Sequence, residues 1–273
     1  MLNELYTLAL ALKKRNLLAK TTHPDINKIG KCECLLVEID KNKLPHEIRF
    51  LQKNETINLW KHSKGNHNNF PAIKIQSPLL IQTVSKDFDN QLKNLEAESN
   101  TEPSEIWEKQ KIEIKKNLLS KLNRNEINTE THKLKLQDYT RQQLEPSLNC
   151  EQDELKALKF LLQRFPTEDK EEKEFIKHLI EKIYNQISET NEKKLLDFFK
   201  LLLVGKRDKK SKKFVSGCML YFDIYETDEV YCKVIDPETK NALIRLLNNV
   251  NENTENNIQS ENIGFCALYG QKH

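Results

Sequence analysis

The hydrophobic residues of this chain change their spacing twice, and this change limits the possible folds more than any other feature of the sequence. In residues 31–80, short β-type runs alternate with polar turns, which is typical of strands. In residues 87–122, 151–165 and 169–188, apolar residues recur every three or four positions, which indicates helices with one buried face. In residues 214–224 and 230–235, aromatic and aliphatic residues again form β-type runs, on either side of an acidic turn. The sequence therefore predicts an α+β protein.

The first of these regions predicts a small sheet near the N-terminus. Residues 31–40 and 46–51 are expected to pair as a hairpin, and residues 57–60 and 72–75 to supply further strands of an antiparallel sheet. Residues 2–19 precede it with helical spacing. We expect a helix there and not a signal peptide, because the cations follow the apolar residues.

The middle of the chain is expected to be mainly helical. Apolar stripes run through residues 87–122, and clearer ones through residues 151–165 and 169–188. The polar residues between them, 123–149, predict a variable connection with a helical part that Pro146 closes.

The C-terminal third combines a buried helix with strands. Residues 195–204 are apolar nearly all round, which predicts a buried helix that ends at Gly205 as its C′ residue. Residues 214–224 and 230–235 alternate across an acidic turn and predict a second hairpin, and Pro237 is expected to start another helix.

These elements suggest three parts of the chain. Residues 1–85 would form a basic α+β unit with an Asn/Lys-rich loop, and residues 86–205 a mainly helical region. Residues 206–273 would supply a basic loop, the second hairpin, a helix and a terminal strand, packed with the first unit.

Composition excludes several classes of protein. No window is apolar over the length of a membrane span, so a cytoplasmic location without membrane contact is expected. The 6 cysteines are scattered, which favours reduced thiols over a disulfide scaffold. Only Cys32 and Cys34 are close together, and without a second pair they predict no structural metal. With only 6 glycines and no phosphate-binding motif, no cofactor is expected either.

Positive charge is concentrated in two places. Residues 1–80 carry 13 Lys and Arg against 7 Asp and Glu, whereas residues 81–273 carry 31 against 34. A second cluster then crowds a few positions around Asp208 and is a candidate contact for DNA backbone phosphates; it comprises Lys206, Arg207, Lys209, Lys210, Lys212 and Lys213. The alternative is a loop that only improves solubility.

The stretch 60–80 has the composition of a presented loop. Short polar residues and cations surround Gly65, and two prolines follow. Amide side chains can bond base edges, so the candidate base contacts are Asn66, Asn68 and Asn69, with Lys61 and Lys64 as backbone anchors beside them. An ordinary solvated loop is the alternative interpretation.

Catalysis has little support in the sequence, and no catalytic residue is predicted. The one dense group of carboxylates lies around the turn of the predicted second hairpin, where solvent exposure is favoured over metal binding; it comprises Asp223, Glu226, Asp228 and Glu229.

The order of several segments resembles the N-terminal half of the large subunit of type I CRISPR interference complexes, nearest to subtype I-C. These segments are the LxxLY opening, the KxxxxLLVEID strand, the SKGNHNNF loop, FDIYETDEVYCKVIDPETKNAL and a terminal CALYGQ. The last is similar to the family's CxxTGE segment, with Tyr269 at the Thr position and Gln271 at the Glu position.

This resemblance implies a non-catalytic subunit that recognises the protospacer-adjacent motif in double-stranded DNA and assists duplex opening. Its partners would be a complex of crRNA and backbone subunits and a recruited helicase-nuclease. Members of the family are about twice as long, so the chain would be a fragment or one half of a split subunit. An α+β interaction module without nucleic-acid binding is the runner-up, and a metal-dependent nuclease the third interpretation.

The loop interpretation makes a testable prediction. Asn68→Ala or Asn69→Ala should weaken binding to the preferred short motif by about 1 to 3 kcal/mol per lost base contact, because each amide donates and accepts a hydrogen bond. Binding to unrelated duplexes should stay nearly unchanged. Competition titrations with specific and unrelated duplexes measure both, and an equal loss on the two would contradict the prediction.

Overall fold

The computed structural model describes residues 22–64, 69–80, 138–190, 192–211, 213–225 and 230–261, together with six single residues: Thr7, Glu105, Lys109, Ile112, Leu134 and Leu136. Thr7, Glu105, Lys109 and Ile112 are helical. Otherwise the helices predicted over 2–19 and 87–122 and the terminal strand predicted over 263–269 lie outside the described residues.

The predicted α+β class is confirmed, and its centre is a sheet of four strands. These strands are β2 (Cys34–Ile39), β3 (Pro45–Leu51), β5 (Ala72–Lys74) and β8 (Met219–Ile224), in the order β3-β2-β8-β5. The predicted hairpin of β2 and β3 is present, and β8 runs parallel to β2 and antiparallel to β5. A separate antiparallel pair joins β1 (Ile26–Lys28) to β4 (Trp60–His62).

Strand β8 differs from its predicted role as one arm of a hairpin. Every residue from Leu220 to Ile224 is buried, so the alternating run belongs to the middle of a sheet with both faces covered. No strand forms over the predicted second arm, residues 230–235, because the N–H groups of Val234 and Ile235 donate to the Asp223 carboxylate instead. The hairpin in this part of the chain is formed earlier, by β6 (Lys206–Arg207) and β7 (Phe214–Val215).

Five helices cover the described part of the sheet and its surroundings: α1 (Asp138–Leu148), α2 (Lys156–Arg164), α3 (Asp169–Glu189), α4 (Lys193–Leu203) and α5 (Pro237–Glu261), with a short 3-10 turn at Asp153–Leu155. Pro146, expected to close a loop, lies inside α1. Pro237 begins α5 as predicted, at the first helical position where its missing N–H costs no bond.

Aromatic side chains join the helices to the sheet. Phe165, at the end of α2, lies 5.2 Å from Phe70 and 4.8 Å from Phe222 in edge-to-face contacts, measured between ring centroids. Phe175 of α3 lies 6.0 Å from both Phe165 and Phe222. All four side chains are buried in one apolar cluster with the stripes of α2, α3 and α4. This geometry adds favourable ring contacts to the burial of apolar area.

The outer edge of β3 is capped by a helix side chain. Gln186 of α3 donates a hydrogen bond from Nε2 to the backbone carbonyl of Ile48 at 2.7 Å. The strand that forms one edge of the sheet is therefore tied to the helix beside it.

Gly205 ends α4 as predicted and occupies a position that other residues fit poorly. Its φ is +73°, and its N–H donates to the carbonyl of Lys200 at 3.3 Å. A Cβ atom at this position would lie 2.8 Å from the carbonyl oxygen of Val215 in β7 and 3.1 Å from Pro78 Cγ. The end of α4 and strand β7 therefore pack closely together, because Gly205 has no side chain to separate them.

Gly205→Ala should consequently lower the unfolding free energy by more than the cost of placing alanine in a left-handed backbone conformation. The left-handed conformation costs a residue with a Cβ about 1 to 2 kcal/mol, and the clash with Val215 adds to it. Gly30→Ala is the matched control, because Gly30 has a φ of +84° but nothing within 4 Å of an added Cβ. Chemical denaturation of both variants measures the difference, and equal losses would refute the packing argument.

Candidate nucleic-acid interface

The cationic cluster predicted from the sequence is carried by a β-hairpin, here called the basic hairpin, whose described residues are 206–211 and 213–215. Lys206 pairs with Val215 and Arg207 with Phe214. The N–H of Asp208 donates to the carbonyl of Lys213 at 2.8 Å, which continues the hairpin towards its turn. Part of the predicted loop is thus a short pair of antiparallel strands.

An aspartate organises the turn of the basic hairpin. Asp208 Oδ2 accepts the backbone N–H and the hydroxyl of Ser211, both at 2.7 Å. These bonds, the backbone one first, lower the pKa of the Asp208 carboxyl. In the sequence, Asp208 stands out only as a charge opposed to the surrounding cations. Its spacing to Ser211 is the signal for a side-chain turn that could have been read from the sequence.

The cations of the basic hairpin point their charge into solvent. Its five described cations are all exposed: Lys206, Arg207, Lys209, Lys210 and Lys213. Within the described part of the chain none of them forms an ion pair. Lys212 lies outside the described residues. The hairpin therefore presents uncompensated positive charge, which a polyanion can neutralise.

The base of the basic hairpin is fastened to the core on both sides. At its entry, the N–H groups of Leu79 and Leu80 donate to the carbonyls of Leu202 and Leu203 at the end of α4, both at 3.0 Å. At its exit, Ser216 donates to Gln76 and Gly217 donates to Ile75, at 2.9 and 2.7 Å. The hairpin is thus held in a fixed direction relative to the central sheet.

The Asn-rich loop is closed at its base by a pair of backbone hydrogen bonds. His62 donates to Phe70 at 2.7 Å and Phe70 donates to His62 at 3.1 Å, and both side chains are buried. Asn66 and Asn68, two of the predicted base contacts, lie outside the described residues. Asn69, the third, is half-buried beside this closure. Their role in base contact stays a prediction.

The two lysines predicted to anchor this loop on phosphate lie in different surroundings. Lys64 is exposed, but its Nζ lies 3.8 Å from Asp25 Oδ2 and donates to Gln143 Oε1 at 3.2 Å. Its charge is therefore partly neutralised within the chain, through contacts that sequence spacing does not reveal. Lys61 lies on β4 opposite Asn27 and is half-exposed.

Burial also lowers the pKa of His62, the histidine at the base of the Asn-rich loop. The pKa of His62 is lowered, first by burial and then by the positive charges of His23 and Lys64, while Asp25 opposes the shift. His62 therefore stays neutral at neutral pH and adds no charge to the surface of the loop. Trp60, the first residue of this stretch, is fully buried and donates from Nε1 to the carbonyl of Val234 at 2.9 Å.

Asp223, the described member of the carboxylate group considered for metal binding, has a structural role. It is fully buried, and its oxygens accept the N–H groups of Ile224, Val234 and Ile235 at 2.7, 2.9 and 3.1 Å. Its lone pairs are thus directed at backbone donors. Across the described ranges, no group of three or more His, Cys, Asp or Glu is arranged to hold a metal ion.

Comparisons with protein-family models, with curated proteins and with solved structures found no match to this chain. In the part of the chain that the structure describes, none of the helices has the length and apolar character needed to span a membrane.

The buried carboxylate predicts a specific pH dependence of stability. Burial raises the pKa of Asp223 to about 6, and the three N–H donors and Lys233 only partly oppose it. In the unfolded chain the pKa is about 3.9, so between these values the folded state binds the proton more tightly. The unfolding free energy should therefore fall as pH rises through this window, by about 3 kcal/mol in total.

Asp223→Asn should remove this dependence, because its side chain does not titrate. The measurement is the difference in unfolding free energy between the parent protein and the variant at several pH values from 4 to 7. We expect the parent to lose stability relative to the variant over this range. Parallel curves would contradict the assignment of the raised pKa.

Proposed function

We propose that this chain is a DNA-binding protein without catalytic activity of its own, which holds the phosphate backbone of a duplex through the basic hairpin. The observation that carries the proposal is the set of exposed cations on a hairpin whose base is hydrogen-bonded to the core. Because the backbone under these charges is already ordered, binding would order little more than the side chains, which limits the entropy lost.

The surroundings of the basic hairpin favour a duplex over a single strand. Proteins that bind single strands stack bases on exposed aromatic rings. Among the described residues, the large apolar side chains with high exposure are Ile57, Ile112, Tyr225 and Tyr231, and none of them belongs to the hairpin. Phe214, its aromatic residue, is half-buried. Backbone contact without stacking suits a helix whose bases are already paired.

The resemblance to the large subunit of type I CRISPR complexes supports a narrower form of this proposal. In that form the chain acts in the cytoplasm with a crRNA-containing complex of backbone subunits, and a helicase-nuclease is recruited to cut the DNA. The Asn-rich loop would read the protospacer-adjacent motif while the basic hairpin holds the backbone. Because the hairpin would contact only the backbone, its contribution to affinity should not depend on the DNA sequence.

The other two interpretations make different demands on the same residues. An interaction module that never binds nucleic acid would use these cations only for an acidic partner, so it should not bind duplex DNA. A metal-dependent nuclease needs carboxylate lone pairs directed at a metal, whereas those of Asp223 face three backbone N–H groups.

Replacing Lys209, Lys210 and Lys213 together by Ala should weaken binding to every duplex, whatever its sequence. Each lost phosphate contact should flatten the plot of log affinity against log salt by up to about 0.9, because fewer counterions are released. Fluorescence anisotropy with a labelled duplex between 50 and 200 mM salt, a range over which multi-contact binding changes by orders of magnitude, measures the slope.

Lys173→Ala with Lys177→Ala is the matched control, since both lysines are exposed on α3, which lies beside β3 at the other edge of the sheet. The control should keep the parent slope. If the parent protein does not bind duplex DNA, or if the hairpin variant and the control have equal slopes, the proposed function is wrong.

A further inference from the structure

Beyond the basic hairpin, a second group of cations lies where the sheet ends at β5. Lys74 is the last residue of β5 and is exposed, and it pairs in register with Met219 of β8. In the sequence, Lys74 belongs only to a predicted strand. No spacing pattern could have linked it to the hairpin, because the link is made by pairing between distant parts of the chain.

Backbone pairing connects Lys74 to the basic hairpin without a break. After the β5–β8 pairs, Ile75 donates to Cys218 at 2.8 Å, Gly217 donates to Ile75 at 2.7 Å and Ser216 donates to Gln76 at 2.9 Å. Val215 of the hairpin follows directly. Since a strand rises about 3.3 Å per residue, the path from Met219 to Lys213 is at most roughly 20 Å.

The surface between these cations is open. Gly217 is exposed, with a φ of +77°, and a Cβ atom added there would meet only the Lys74 side chain, at 4.0 Å. Among the described residues, no other side chain lies within 4 Å of that position, so the backbone at Gly217 is accessible beside Lys74.

A second lysine approaches the same area from β4. Burial raises the pKa of the Cys32 thiol and the Glu33 carboxylate adds to the rise, whereas the charges of Lys61 and Lys74 both oppose it. Lys61 directly precedes His62, and His62 pairs with Phe70 in an antiparallel bridge. Since Phe70 leads through Pro71 into β5, Lys61 lies beside the start of the strand that ends with Lys74. Neither lysine forms an ion pair with another described residue.

We infer that Lys61 and Lys74 form a second phosphate-binding surface, here called the β5-edge surface, which continues the basic hairpin along one duplex. The inference rests on the proposed function, since it assigns further contacts to the same ligand. At an axial spacing of 3.4 Å per base pair, a path of at most roughly 20 Å spans no more than about six base pairs. The two surfaces can therefore contact phosphates within one helical turn of the same duplex.

Glu33 allows a test in which a substitution is expected to strengthen DNA binding and not to weaken it. Glu33 directly precedes Cys34, and Cys34 pairs with Met219 in the same row of the sheet as Lys74, so Glu33 lies at the end of the strands from which Lys74 projects. In this arrangement it repels phosphate. Its removal should strengthen binding, a direction of change that damage to the fold would not produce.

The experiment compares salt slopes for duplex DNA among the parent protein, Lys61→Ala with Lys74→Ala, the hairpin triple variant, and all five substitutions combined. The β5-edge pair should flatten the slope by up to about 1.8, and its effect should add to that of the hairpin. Glu33→Gln should raise affinity several-fold at 50 mM salt and less at 200 mM. Lys173→Ala with Lys177→Ala should change nothing, and unfolding midpoints verify that every variant is folded.

The outcomes separate the two proposals. If the hairpin variant lowers the slope while the β5-edge pair and Glu33→Gln leave binding unchanged, the β5-edge surface is wrong and the proposed function stands. If the parent protein does not bind duplex DNA, both are wrong. If the β5-edge pair weakens binding to polyglutamate but not to DNA, the surface belongs to an acidic protein partner and the inference is overturned.

Discussion

Strand β8 fills the position between β2 and β5, and the arrangement of the remaining parts depends on this pairing. It brings residues 219–224 into a sheet whose other strands all come from residues 34–74. One face of β8 contributes Phe222 to the aromatic cluster, and the other contributes Tyr221 to a smaller apolar cluster with residues of β2, β3 and β5. Everything that directly precedes β8, including the basic hairpin, is thereby placed at the β5 edge.

Local patterns were sufficient for the elements whose partners are near in sequence. Strands β2 and β3 are separated by a short polar turn and are rich in β-type residues, so both strands and their pairing could be predicted. The buried stripes of α2, α3 and α4 and the glycine that ends α4 were predictable for the same reason. Strand β1 was missed, because its three residues, Ile26–Lys28, include only one apolar side chain.

The partner of β8 could not be predicted, because alternation shows that a run forms a strand and not which strand lies beside it. Asp223 is a residue whose role could not be predicted for this reason. Read locally, it was one of several carboxylates near a turn, whereas in the fold it is buried and binds the segment that would have formed the second arm of the hairpin. The cations of the basic hairpin were visible as a cluster in sequence, but their relation to Lys74 and Lys61 depends on the long-range pairing of β8.

The hydrogen bond from Gln186 to the carbonyl of Ile48 affects how readily the protein can aggregate through strand β3. An unpaired strand edge is a template on which another chain can build a β-structure, and an incoming strand needs free backbone acceptors to do so. At Ile48 the acceptor on that edge is already occupied by a side chain of the protein's own helix. Growth of the sheet through β3 would first have to displace this bond, which makes aggregation through the strand less favourable.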